Sequence, residues 1–232
     1  MINSSLDKRL LSCADYVRAG AVFADIGTDH GYLPIFLLKS GKITRAFLCD
    51  VNEGPLNSAL TNVTDEGLMD SCEFILTDGA SVLAGRGITD YAVCGMGGVL
   101  ISRIIDAAPH LCESGVRLIL QPMTKQAHLR RYLAASGFEI LSERFSYDDG
   151  KYYVTILAEY TGRVYSLDDS EAELGRDVDH SDDRVEYLGY LRARERAFSK
   201  TVEGKKLGGI DVSEDVHMLE CVRARIKPLL CE

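Results

Sequence analysis

The 232-residue chain has no C-x-x-C pair and no apolar run near the roughly 18 residues that a membrane span requires. Its longest apolar stretches, such as Leu33–Leu38 and Leu118–Leu120, are short. The opening residues, Met-Ile-Asn-Ser-Ser-Leu-Asp-Lys-Arg, carry no charged segment followed by an apolar one, so no secretory leader is expected. The seven cysteines, at 13, 49, 72, 94, 112, 221 and 231, are scattered and odd in number. That argues against a disulfide framework and against a zinc site, and the expectation is a reduced, cytoplasmic protein without metal. Positive charge is also in short supply. Lys and Arg number 26 against 35 Asp and Glu, a net charge of −9 that excludes a simple polybasic nucleic-acid binder but not a local basic face.

Within those limits, 46% hydrophobic residues suffice for a sizeable core. Short apolar runs alternate with helical patterns through the first 160 residues. Strands are predicted at Ala21–Ile26, Ala46–Asp50, Glu73–Leu76, Asp90–Cys94 and Val116–Gln121. Helices fall at 33–40, 55–66, 99–107 and 125–135, with Pro55 suited to a first turn. Such continuous apolar strands between helices mark a parallel sheet covered on both faces. Glu139–Tyr147 and Lys151–Tyr160 flank Asp148-Asp149-Gly150, a hairpin signal, so the sheet ends in an antiparallel pair. The composition changes after Gly162. Residues 168–186 carry nine acids against two arginines, and residues 192–206 carry six basic residues against two acids. Leu188, Leu191, Glu195, Phe198 and Val202 have helical spacing, ended by Gly204, Gly208 and Gly209. A second helix is expected from Ser213 as N-cap to about Lys227, before Pro228, with Val216, Leu219, Val222 and Ile226 as its stripe. The predicted organisation is an α/β domain over 1–162 and a helical hairpin over 163–232.

Residues 24–34, Ala-Asp-Ile-Gly-Thr-Asp-His-Gly-Tyr-Leu-Pro, join the first strand to the first helix. Doubly wound sheets bind ligands at this bend. Gly27 removes a Cβ where a ligand must approach, and Asp50, 23 residues later, ends strand two where an acid can accept both ribose hydroxyls. Asp78 lies beyond strand three, within reach of an adenine amine. A dinucleotide and S-adenosylmethionine both suit this layout. Asp29 would repel a pyrophosphate but welcome an ammonium or sulfonium, and the loop departs from G-x-G-x-x-G, which favours the methyl donor. Cys94-Gly-Met-Gly-Gly98 follows strand four, where free N–H groups of Gly97 and Gly98 can open a helix. Gln121 ends strand five, where it can meet a base edge or simply close the strand.

Together, Lys8-Arg-Leu10, Asp25-Ile-Gly-Thr-Asp-His30 with Tyr32-Leu-Pro34, Gly95-Met-Gly-Gly98, Leu118-Ile-Leu-Gln-Pro122, and Asp149-Gly-Lys-Tyr152 with Ala158-Glu159 resemble the TrmK-type bacterial tRNA (adenine-N1)-methyltransferases. The resemblance covers residues 6–160. It implies a class I, Rossmann-like methyltransferase with a seven-stranded sheet and a coiled-coil-like C-terminal hairpin. The reaction implied is transfer of methyl from S-adenosylmethionine to N1 of a D-arm adenine, position 22, in tRNA. It places Asp25, Gly27, Thr28, Asp29, His30, Asp50, Val51, Asp78, Gly79, Gly95 and Met96 around the donor, and Met96, Gly97 and Gln121 near the target base. On chemical grounds Asp29 is also a catalytic candidate, whose charge would favour the cationic product, and His30 either contacts the base or fixes the loop. Met123 stands where the family often has Asn. Tyr32 is a candidate stacking partner for the base, or packs on its own helix. Lys125, Arg130, Arg131, Arg192, Arg196 and Lys200 are candidate phosphate contacts, the last three on one helix face by their spacing of four. A monomer or weak dimer is expected. The alternatives are a methyltransferase for another RNA or a small molecule, and a non-catalytic protein that binds S-adenosylmethionine or RNA.

Overall fold

The computed structural model describes residues 6–176 and 183–230. Cys231 and the acids at 177, 179 and 182 lie outside the described residues. Helix α1 (Lys8–Tyr16) precedes an alternating series: β1 (Ala21–Ile26), α2 (Tyr32–Lys39), β2 (Ile43–Asp50), α3 (Glu53–Asp65), β3 (Cys72–Leu76), β4 (Asp90–Gly97), α4 (Gly98–Asp106), β5 (Arg117–Thr124) and α5 (Gln126–Ala135). Strands β6 (Phe138–Asp148) and β7 (Lys151–Tyr160) follow, then α6 (Asp169–Leu174), α7 (Arg184–Leu207) and α8 (Ser213–Leu229).

The seven strands form one sheet in the order β3-β2-β1-β4-β5-β7-β6. The first five are parallel and β7 pairs antiparallel with both β5 and β6, as the strand patterning predicts. Asp149 and Gly150, both at positive φ, make the two-residue turn between the paired Asp148 and Lys151. Alternate strand residues bury on opposite faces. Phe23, Leu48, Ala92 and Ile119 pack under the α1–α3 side. Ala24, Phe47, Val93 and Leu120 pack with α4 and α5. That second cluster also takes in Leu174, Tyr187, Leu191, Val222 and Ile226, so the C-terminal helices share the sheet's core.

Several expectations are corrected. Helices α1 and α6 were not expected. Asp7 caps α1 by accepting from Leu10 N at 2.7 Å, and Asp168 and Glu171 cap α6 reciprocally. Gly204 lies inside α7, which runs on to Leu207, since one exposed glycine costs a helix only about 1 kcal/mol. Ser213 is the first residue of α8 and not its cap; its hydroxyl bonds Asp211 at 2.7 Å. Pro228 sits within the last turn of α8, which reaches Leu229.

Candidate functional site

Strand order reverses between β1 and β4, which opens a crevice beyond their carboxyl ends. There the backbone N–H groups of Gly27 and Thr28 both donate to the Cys49 carbonyl, at 2.7 and 2.9 Å, tying the β1 bend to β2. Gly27 is at φ +79°, and a Cβ on it would overlap the methyl of Met96, which reaches across from β4. Gly31 opens α2, so Asp29, His30 and Tyr32 stand at the mouth of the crevice. The His30 carbonyl accepts from Asn62 Nδ2 at 2.9 Å, which anchors the bend to α3. The His30 and Tyr32 rings stack with centroids 5.1 Å apart, and His30 Nε2 is 3.6 Å from Asp29 Oδ2. The Asp29 side chain is 78% exposed and Tyr32 is 42% exposed.

Asp25 is buried at the floor. Burial pushes its carboxyl up to about 6; the Thr28 hydroxyl pulls it down, the Asp50 charge adds to the rise, and Arg9 opposes it. Asp50 ends β2 and accepts from Asn52 N at 2.7 Å, and its carbonyl takes the N–H of Thr77 at 2.8 Å, which holds the start of the β3 loop beside it. Val51 and Asp78 are exposed on this rim, whereas Gly79 is buried against Ile104. Four carboxylates, Asp25, Asp29, Asp50 and Asp78, around a crevice with apolar Val51 and Met96 fit a cationic nucleoside such as S-adenosylmethionine far better than a pyrophosphate. Among the described residues no cluster of side chains suits a metal ion, and no helix is long and apolar enough to cross a membrane.

The β4–β5 side differs from expectation. Gln121 is fully buried, and its Oε1 accepts from Gly95 N at 3.0 Å and from Arg9 Nη1 at 3.1 Å, while Nε2 faces Met123 Sδ at 3.6 Å. It is therefore an internal brace and not a surface base contact. Gly97 is the N-cap residue of α4. Gly98 is needed for a different reason: a Cβ there would overlap the Lys125 carbonyl oxygen, so the residue lets α4 start against the β5–α5 turn. Arg9 lies outside the predicted site residues, and its one signal in the sequence is its place in Lys8-Arg-Leu10.

The candidate phosphate contacts separate. Arg130 is corrected outright. Its side chain is 0% exposed, donates to Glu143 Oε1 at 2.7 Å and to the Ala172 carbonyl at 2.7 Å, and cannot reach RNA. Arg131 is ion-paired with Asp169. Lys125 is exposed at the turn into α5. Arg192, Arg196 and Lys200 are all exposed on one face of α7, with no acid paired to them among the described residues.

A methyltransferase-domain family matches residues 6–156. The tRNA (adenine(22)-N(1))-methyltransferase of Bacillus subtilis is 34% identical over 163 residues, 70% of this chain and 68% of that protein. The chain belongs to the TrmK-type methyltransferase family. Solved TrmK-type structures extend the likeness over nearly the full length. TrmK of M. capricolum, in complex with S-adenosyl-homocysteine, has a TM-score of 0.80 and 28% identity, with 96% of this chain and 98% of that one covered. A Streptococcus pneumoniae protein in complex with S-adenosyl-L-methionine has a TM-score of 0.82 and 28% identity, with 96% and 100% covered. The TrmK-type fold thus includes the C-terminal helices, which the family match over residues 6–156 leaves out.

Proposed function

We propose that the chain transfers a methyl group from S-adenosylmethionine to N1 of adenine 22 in tRNA. The reading is carried by one coincidence: a chain 34% identical to an enzyme of that name has a carboxylate-lined crevice at the switch point of its sheet. When bound, S-adenosylmethionine supplies an electrophilic methyl on a sulfonium. Asp50 would take the ribose hydroxyls, Asp78 the adenine amine, and Asp25 and Asp29 the positive charge. Gly27, Thr28, Val51, Gly79, Gly95 and Met96 would form the remaining walls.

The target nitrogen needs no base, because N1 of adenine is neutral and has a free lone pair. The ring becomes cationic as the bond forms, so negative charge already fixed nearby lowers the barrier. Asp29 stands where it can supply that charge, with His30 beside it. N1 lies on the pairing edge of the base, so the adenine must be unpaired or drawn from its stack. The exposed face of Tyr32, already stacked on His30, offers the base a place to continue the pile. Gly97 and the buried Gln121 shape the wall opposite. Arg192, Arg196 and Lys200, with Lys125, would hold phosphates. This reading takes the chain as a monomer or weak dimer.

The test is direct. Purified protein, labelled donor and unmodified tRNA are incubated, the RNA is digested, and the modified nucleoside is located. The expected product is 1-methyladenosine at position 22, and Asp29→Asn is expected to cut its rate at least tenfold with little change in melting temperature. Label in another nucleoside, or none, refutes the reading.

A further inference from the structure

Helix α1 presents Arg9 and, one turn on, Cys13 to the same place. Cys13 Sγ lies 3.5 Å from Cys94 Sγ, and Arg9 Nη1 donates to Gln121 Oε1, which also takes the N–H of Gly95. Residues separated by more than eighty positions thus meet at the end of β4, next to Met96. Arg9 is itself held: its Nη2 pairs with Asp7 at 3.1 Å and its guanidinium lies 6.0 Å over the Tyr153 ring.

The arrangement solves a problem that a buried glutamine creates. A primary amide has an acceptor end and a donor end of nearly equal size, and only its partners decide which way it points. The Gly95 N–H at the oxygen and the weak acceptor Met123 Sδ, 3.6 Å from Nε2, give only a modest preference. Arg9 adds a second, charge-assisted donor at the same oxygen, and a flipped amide would set two donors against its NH₂ group. The orientation of Gln121, and with it the backbone at Gly95, depends on an arginine 112 residues away.

We propose that Arg9 is a positioning residue of the methyl-transfer site, acting through Gln121 Oε1 to hold the Gly95–Met96 backbone in the form that receives the target base. The proposal rests on the methyl-transfer reading above. A second effect follows from charge. Arg9 favours the ionised form of Asp25, so its removal shifts that carboxyl further upward.

The test compares wild type with Arg9→Ala, Arg9→Gln and Arg9→Lys. It measures single-turnover methylation at saturating donor and tRNA, tRNA affinity as a function of salt, and donor affinity as a function of pH. Arg9→Ala is expected to slow turnover at least tenfold while tRNA affinity stays within twofold and its salt slope is unchanged. Arg9→Lys, which keeps one charged donor, is expected to restore part of the rate. The acid limb of donor binding is expected to move to higher pH in Arg9→Ala and Arg9→Gln but not in Arg9→Lys. A folded Arg9→Gln protein with turnover within twofold of wild type would overturn the proposal. So would a loss confined to tRNA affinity with a shallower salt slope, which would make Arg9 a phosphate contact. If Arg9→Ala does not fold, Arg9→Gln and Arg9→Lys decide between these results. Failure of wild type to methylate tRNA would refute the parent reading instead, and is read separately.

Discussion

The methyl of Met96 fills the space over Gly27 that any side chain at that position would need. Two adjacent strands therefore meet through one flexible thioether, at a backbone bend with φ +79°. Gly27→Ala has to displace Met96 and also hold an L-residue in the left-handed region, which costs roughly 1–2 kcal/mol by itself. The expected outcome is a lower melting temperature and donor affinity reduced at least tenfold by calorimetry. Adding Met96→Ala is expected to relieve the overlap but not the backbone strain, so the double variant should recover only part of the stability.

Asp25 is expected to link donor binding to pH. Its carboxyl sits at about 6 in the fold against an ordinary 3.8. The folded protein therefore holds a proton that the unfolded chain has released across this window. Folding stability falls as pH rises from 3.8 to about 6, and above that the full cost of burying the charge, about 3 kcal/mol, persists. Asp25→Asn is expected to melt higher than wild type above pH 6 without donor. The donor is cationic, so wild-type affinity should rise as pH passes through about 6, and that step should vanish in Asp25→Asn. A pH-independent donor affinity in wild type would remove Asp25 from the site.

Arg130 and Glu143 form an ion pair with both side chains fully buried, and Glu143 Oε2 also accepts from Arg176 N at 2.9 Å. Removing one partner leaves a charge without water or counterion, a loss of about 3–5 kcal/mol. Glu143→Gln is expected to lower the denaturant midpoint accordingly. Arg130→Met with Glu143→Leu should recover much of the stability, because an apolar pair of similar volume avoids the desolvation cost. In that double variant the salt dependence of tRNA binding should match wild type.

The opposite behaviour is expected at Arg192, Arg196 and Lys200. Replacing all three with Gln should leave the melting temperature nearly unchanged and weaken tRNA binding. The slope of log affinity against log salt should fall by about one unit per residue lost. Binding measured between low and moderate salt checks this, and an unchanged slope would take α7 out of the RNA interface.

What could be read from sequence followed the chemistry of each segment. The β1 bend was legible because its glycines and acids have few other uses at a strand end, and the parallel strands because burial on both faces leaves apolar runs. Helix α1 was not, being only nine residues long and burying just the small side chains of Ser12, Cys13 and Ala14. Helix α6 carried a D-x-x-E cap at Asp168 and Glu171, which the surrounding acids disguised as a solvated run. Arg130 shows a different limit. Its charge suggested RNA, and only the fold brings Glu143 on β6 and the Ala172 carbonyl to it. Gln121 was recognised, but its partner Arg9 lies at the other end of the domain in sequence.

Tyr187 and Tyr190 of helix α7 pack their rings 4.8 and 4.7 Å from Phe145 on the outer strand β6. The arm is consequently not an interchangeable attachment. Grafting it from one relative onto another would transplant a grip whose angle is set by someone else's sheet edge, and a chimera that works should have to carry the β6–β7 ribbon along with its helices.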